Sequence, residues 1–346
     1  MKISFLTLKT WYTRLFVLFF FGALLFVSFR TLADGATISG FDAALWGSRK
    51  LIAQTADFRL ALGDRVFPNV LVGQNNWLIF TAESSLTDYQ NKFTLTDEKI
   101  ESIQQKLAAL QAELAQKNAI LLVLIVPNKE TIYPEIVPAE IAIFPGPSRL
   151  ERLSAFLAQN GPAVLLDLRP VLQQARAGYE IYYKTDTHWN DYGVYLAYQA
   201  ILQELSKKYP QLQPYPLESF KQIPGGPELL DLARNTGSVR LLEQPVQLTP
   251  TFPNPASFRQ IETGGRRLSM AWVADDALPR LLMYHDSFGP RLGRLLAMHF
   301  SQSVFVPHYS GRAIWSTDWI KQQRPDVVII EFAERYLQDL DVLLSQ

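Results

Sequence analysis

The sequence predicts an α/β protein: a layered domain on a mainly parallel sheet, preceded by an N-terminal membrane helix and interrupted by a stretch of loops and short strands. Three observations carry this expectation. Apolar strand-like runs alternate with segments of helical period from residue 97 onward. The run Ile120–Val126 contains no polar residue, as a strand covered on both faces requires. A long uncharged stretch stands behind basic residues at the start of the chain.

Taken in order, Lys2, Lys9 and Arg14 precede residues 15–29, which are uncharged and rich in Leu, Phe and Val. Roughly 20 apolar residues cross a bilayer, and a basic flank stays on the cytoplasmic side. The expectation is a single-pass inner-membrane protein, with its N-terminus in the cytoplasm and its catalytic domain in the periplasm. Residues 1–32 would be an uncleaved anchor; a signal peptide cut near Thr31-Leu32-Ala33 is the alternative. Residues 33–95, with Pro68, Gly73 and a short apolar piece at 77–80, read as a stalk and N-terminal cap.

Residues 96–346 read as the catalytic domain. Ile100, Ile103, Leu107, Leu110 and Leu114 share one helical face within 97–118, with Thr94 or Thr96 as the cap. A helix over 148–159, a strand over 163–166 and a helix over 190–208 continue the pattern. Residues 209–280 carry many Pro and Gly and no sustained period, so they are expected as an insertion. Strand 281–284, helix 290–300, strand 303–306, a helix near 314–322 and strand 327–331 then resume the alternation.

Composition narrows the function. Lys+Arg and Asp+Glu both number 33, which leaves no net field to attract nucleic acid. No cysteine is present, excluding disulfides, thiolate nucleophiles and Cys-ligated zinc. Chemistry then falls to hydroxyl, imidazole and carboxylate groups.

Two segments can supply it. In Leu281-Leu282-Met283-Tyr284-His285-Asp286-Ser287-Phe288-Gly289-Pro290 an apolar strand runs into a turn, and Pro290 suits the first turn of a helix. The hydroxyl of Ser287 would stand at the strand's carboxyl end, where ligands of α/β sheets bind. Helix N–H groups would face an oxyanion forming there. Simple helix capping by Asp286 and Ser287 explains the same residues. The second segment is Tyr182-Tyr183-Lys184-Thr185-Asp186-Thr187-His188-Trp189. In extended chain, residues two apart face one way, so Asp186 can orient His188 as a general base. A metal-ligand pair or a hydrogen-bonded turn are the competing readings. No further His/Asp/Glu cluster accompanies the pair, so the chemistry expected is metal-free and cofactor-free.

Together these segments resemble the alginate O-acetyltransferase family of the AlgJ/AlgX type, an SGNH-hydrolase-like group. Asp-Thr-His-Trp at 186–189 is followed about a hundred residues later by His-Asp-Ser-Phe-Gly at 285–289. Gly73 with Trp77-Leu78, the stretch from Ile125 to Pro134, Asp231-Leu232-Ala233-Arg234, and Pro325 through Leu337 are also similar to family elements. The resemblance implies an SGNH-hydrolase-like three-layer fold, with Ser287 as nucleophile, His188 as base and Asp186 as its orienting acid. It implies an acetyl-serine intermediate resolved by a sugar hydroxyl of an exported, alginate-like polysaccharide. It also implies a multi-spanning membrane O-acyltransferase as the partner that delivers acetyl groups. His285-Asp286 stands where hydrolase relatives often show Gly-Asp. The Ser287 N–H is the expected oxyanion donor, with Arg291 as a second.

Other residues can line the cleft. Lys129 and Tyr133 follow a strand end. Tyr182, Tyr183, Trp189 and Tyr192 offer flat faces for sugar rings. Arg266, Arg267, Arg291, Arg294 and Arg312 could meet a polyanion. Core packing and solvation of a face explain the same residues, and His299 and His308 are expected to be structural. Two further functions fit the motifs: an esterase using the same three residues with water as acceptor, and a non-catalytic polysaccharide-binding subunit.

Overall fold

The computed structural model describes residues 5–33, 48–162, 164–263, 266–308 and 317–345. Residues 34–47 of the expected stalk, Arg312, and the start of the helix expected near 314–322 lie outside them. Contacts divide the chain into two units: Met1–Asp64 with Thr236–Arg240, and Arg65–Asn235 with Leu241–Gln346. In the first unit, Gly237 adopts φ +79°, and a Cβ there would lie 2.8 Å from Cγ2 of Ile52 on the helix Ser48–Ala61. The Ser238 hydroxyl donates to Asp57 of that helix.

Among the described residues no helix is long and apolar enough to cross a membrane. This overturns the expected single-pass inner-membrane placement. The reason lies in the helix Phe5–Ala33, where Arg14 and Arg30 bracket the uncharged residues 15–29. At about 1.5 Å per residue that stretch reaches roughly 22 Å. A bilayer's hydrocarbon core is about 30 Å thick.

The second unit begins with a three-stranded antiparallel sheet of β1 (Val66–Phe67), β2 (Val70–Val72) and β3 (Leu78–Phe80). Its main sheet has seven strands in the order β5-β4-β12-β10-β11-β9-β8. These are β4 (Ile120–Val126), β5 (Leu165–Asp167), β8 (Ser257–Thr263), β9 (Arg266–Trp272), β10 (Arg280–His285), β11 (Gln302–Pro307) and β12 (Val327–Ala333). The first five in that order run parallel to one another, while β9 and β8 continue the sheet antiparallel. A separate hairpin pairs β6 (Phe220–Pro224) with β7 (Val246–Pro250).

The period of two along each strand sorts side chains to opposite faces. Leu122, Leu124 and Val126 of β4 join Val327 and Ile329 of β12 in one core, covered by the helices Asp191–Leu205 and Gly289–Leu296. Leu121, Val123 and Ile125 join Val328 and Ile330 in the other, covered by Asp97–Ala115 and Arg149–Asn160. This is the three-layer arrangement expected for the fold. Local signals set the helix starts: Thr96 caps Asp97–Ala115 by accepting from Lys99 N, and Ser148 with Glu151 forms a reciprocal capping box.

The stretch expected as an insertion differs from the expectation in one respect. Its hairpin β8–β9 is part of the main sheet, extending it beyond β11. The outer strand β8 is largely exposed, and only Leu268 and Ala271 of β9 are fully buried, one in each core, so the hairpin's apolar signal is too sparse to stand out among prolines and glycines. Because Ile329 is wholly buried at the centre of the sheet, Ile329→Ala is expected to cost about 2–5 kcal/mol, read by urea unfolding. A loss well under 1 kcal/mol would mean that this face repacks freely.

Candidate active site

The serine segment lies beyond the carboxyl end of β10. After His285 the chain turns through Asp286 into the helix Gly289–Leu296, with Pro290 in its first turn. Asp286 accepts from Phe288 N at 2.8 Å through Oδ1 and from Ala333 N at 2.7 Å through Oδ2. The carboxylate therefore caps the turn and ties it to β12. Glu331 of β12, itself fully buried, accepts from Asp286 N at 3.1 Å. Gly289 is required by close approach, since a Cβ there would lie 2.3 Å from Cβ of His285. Ser287 is exposed between buried neighbours. Neither residue caps the helix, whose N-cap position falls to Phe288: Asp286 closes the preceding turn and Ser287 is left available.

The histidine segment is a tight loop closed by an antiparallel bridge between Tyr182 and Trp189. Asn190 then caps the helix Asp191–Leu205 through Tyr192 N and Gly193 N. Within the loop, Asp186 Oδ1 accepts from His188 N at 2.9 Å and lies 2.6 Å from His188 Nδ1. On the ring's other side, Nε2 stands 2.9 Å from Ser287 Oγ. Carboxylate, imidazole and hydroxyl thus form one hydrogen-bonded line across 99 residues of sequence separation. Burial opposes ionisation of Asp186. The hydrogen bonds from His188 and from Asp231 N outweigh it and hold the carboxyl well below its ordinary range. Such a line can pass a proton from the hydroxyl to an imidazole whose tautomer the carboxylate fixes.

Other expected cleft residues hold this line in place. Lys129 is buried beneath the loop, and its Nζ donates to the carbonyls of Tyr183, Lys184 and Asp186 at 3.0, 3.2 and 2.7 Å. Burial lowers its pKa to about 8. Trp189 is fully buried and donates through Nε1 to Phe288 O at 3.2 Å. It cannot serve as the expected sugar platform, because none of the ring reaches the surface; it joins the histidine segment to the serine segment through this bond and an edge contact with Phe288. Arg291 donates through Nη1 to the Tyr183 hydroxyl and, at 2.8 Å, to Asp191 Oδ1. Tyr183 is itself buried, with burial pushing its hydroxyl up to about 12. The cap sheet and the 209–280 stretch add further ties: Leu78 N donates to Lys184 O at 2.8 Å, and Glu243 accepts from Lys184 N and Thr185 N at 3.0 and 2.7 Å. His299 bonds the Tyr198 hydroxyl and His308 bonds Glu331 O, each at 2.7 Å.

Asp231 is the residue that sequence reasoning passed over. Its Oδ2 lies 3.7 Å from His188 Nδ1 and its Oδ1 accepts from Thr187 N at 2.8 Å. The only sequence signal for it was the similarity of residues 231–234 to a family element. Asp186, His188 and Asp231 bring donor atoms within 4.8 Å of one another, a grouping that a metal ion could exploit. Two ligands of one tetrahedral zinc, each about 2.0–2.2 Å from it, would stand roughly 3.4 Å apart. The separation of 2.6 Å between Asp186 and His188 is that of a hydrogen bond.

Known proteins share this arrangement's fold. A probable alginate O-acetylase AlgJ from Azotobacter vinelandii is 28% identical over 294 residues, covering 78% of this chain and 70% of the relative. The structure of Bacillus cereus PatB1 with a sulfonyl adduct superposes with a TM-score of 0.58 at 15% identity, over 79% of this chain and 96% of that one. The O-acetyltransferase domain of Pseudomonas putida AlgJ gives 0.50 at 23% identity, over 78% and 92%. The family described as SGNH hydrolase-like domain, acetyltransferase AlgX, matches residues 70–265. That match spans more than half of the 346 residues and takes in Asp186, His188 and Asp231. The chain belongs to the SGNH hydrolase-like AlgX acetyltransferase family.

Proposed function

We propose that this protein transfers acetyl groups to hydroxyls of an exported, alginate-like polysaccharide through an acetyl-Ser287 intermediate. The observation that carries the reading is the line Asp186–His188–Ser287, at 2.6 and 2.9 Å. In the first half-reaction Ser287 Oγ attacks the acetyl carbonyl of the donor and His188 Nε2 takes the hydroxyl proton. The bond from acetyl to the donor's leaving group breaks, and the leaving group departs with that proton. In the second, an acceptor hydroxyl gives its proton to His188 and attacks the acetyl carbon. The bond to Oγ breaks and the proton returns to Ser287. The Ser287 N–H at the helix start is the proposed oxyanion donor. The names of the curated relatives support alginate as the acceptor class, and the family resemblance supports a multi-spanning membrane O-acyltransferase as the source of acetyl.

Incubation with an activated acetyl ester tests the reading. Rapid quench and peptide mass analysis are expected to find one added acetyl group on the peptide holding Ser287, discharged faster when oligosaccharide is supplied. Acetate release indifferent to oligosaccharide would support the esterase reading. Failure to label Ser287 would remove the covalent mechanism.

A further inference from the structure

A second acidic side chain stands beside the proposed base. The helix Asp231–Thr236 starts against the histidine loop: Leu232 N and Ala233 N both donate to Thr185 O at 3.1 Å, and Asp231 N approaches Asp186 Oδ2 at 3.4 Å. With Thr187 N held on Oδ1, the other oxygen of Asp231 is fixed 3.7 Å from His188 Nδ1. This is outside hydrogen-bond range but well within Coulomb range, so it does not compete with Asp186 for the ring proton. The side chains of His188 and Asp231 are 24% and 31% exposed, so solvent screens the interaction only in part.

Resting on the triad reading above, we infer that Asp231 is a positioning residue whose negative charge supports the imidazolium formed when His188 takes the Ser287 proton. Asp186 fixes the ring; Asp231 adds field without touching the reacting atoms. The charged groups facing Asp231 are Asp186 and His188 from the loop and Lys129 from the helix Lys129–Ile132. Burial first, and then the charge of Asp186, raise the Asp231 carboxyl to about 6. An acid raised in this way loses its charge as pH falls through that value. The support is therefore present at neutral pH and absent in mildly acidic solution.

The test compares the full chain with Asp231→Asn, Asp231→Ala and Ser287→Ala, following acetyl transfer from an activated ester to oligosaccharide across pH. Asparagine keeps an oxygen to accept from Thr187 N and loses the charge. The expected kcat/KM of Asp231→Asn is about tenfold below the parent near pH 8, with KM unchanged. That ratio should close toward one as pH falls below about 6. Asp231→Ala should also lower Tm, since it frees the loop. A ratio that stays constant at every pH, or an Asp231→Asn variant as fast as the parent throughout, overturns the inference. If Ser287→Ala keeps its activity, the triad reading fails and takes this inference with it. If Ser287→Ala is inactive and the Asp231→Asn ratio is flat, only the role of Asp231 is lost.

Discussion

Replacing Ser287 with Ala is expected to reduce acetyl transfer by thousands-fold or more without changing the unfolding transition. The side chain is exposed and its hydroxyl meets His188 Nε2 at 2.9 Å, so its removal opens no cavity in either core. Loss of the hydroxyl leaves nothing for the acetyl group to bond to. Binding and the oxyanion donor remain, which is why some residual rate above solution chemistry is expected. Adding His188→Ala should cost little more, because the two side chains act as one proton-transfer unit. Acetylation of polymer in cells, alongside circular dichroism of the purified variant, checks both parts. Unimpaired acetylation by a folded, abundant Ser287→Ala protein would leave only the binding-subunit reading.

A loss of roughly a thousand- to ten-thousand-fold is expected for Asp186→Asn, again with the fold retained. Asparagine has nearly the same shape, but Asp186 takes both His188 N and Nδ1 on one oxygen, Oδ1, at 2.9 and 2.6 Å. The variant loses the charge in either orientation and keeps both bonds only with its amide oxygen there. Its amide nitrogen cannot accept from Nδ1–H. If that nitrogen turns toward the ring, the imidazole must place its proton on Nε2, where it can no longer receive one from Ser287. The rate should then fall in kcat and in kcat/KM together, with KM little changed. A drop confined to KM would instead place Asp186 in acceptor binding.

Much of the scaffold was legible because buried parallel strands advertise themselves. The run Ile120–Val126 needs no polar side, and 281–284 and 327–331 carry the same signal, so strand positions followed closely. Capping residues such as Ser148 and Asn190 marked helix starts through their own hydrogen bonds. The hairpin β8–β9 was not legible as sheet, because its outer strand is largely exposed and its inner strand buries only Leu268 and Ala271, one in each core. At the N-terminus, apolar composition suggests a span, but the stretch between Arg14 and Arg30 is too short for one. For the site, Asp-x-His and a serine after an apolar strand singled out the three side chains that the structure brings within hydrogen-bond reach. Sidedness was the missing information. Trp189 adjoins that chemistry in sequence and Lys129 follows a strand end, yet both are buried, and neither residue type announces whether it faces a cleft or supports it. Asp231 reaches His188 from 43 residues away through a helix start, a relation that no local pattern encodes.

The histidine loop is tethered by groups drawn from residues 78, 129, 231 and 243, which come from four different parts of the chain. A fragment trimmed to the parallel strands and their covering helices would strip Trp77, Ile79, Phe220 and Ala271 from one core and Leu268 from the other, and would let the imidazole drift. The parts that look like accessories are therefore the mounting of the machine. Shortening the cap or the 209–280 stretch should yield proteins that both melt earlier and turn over poorly.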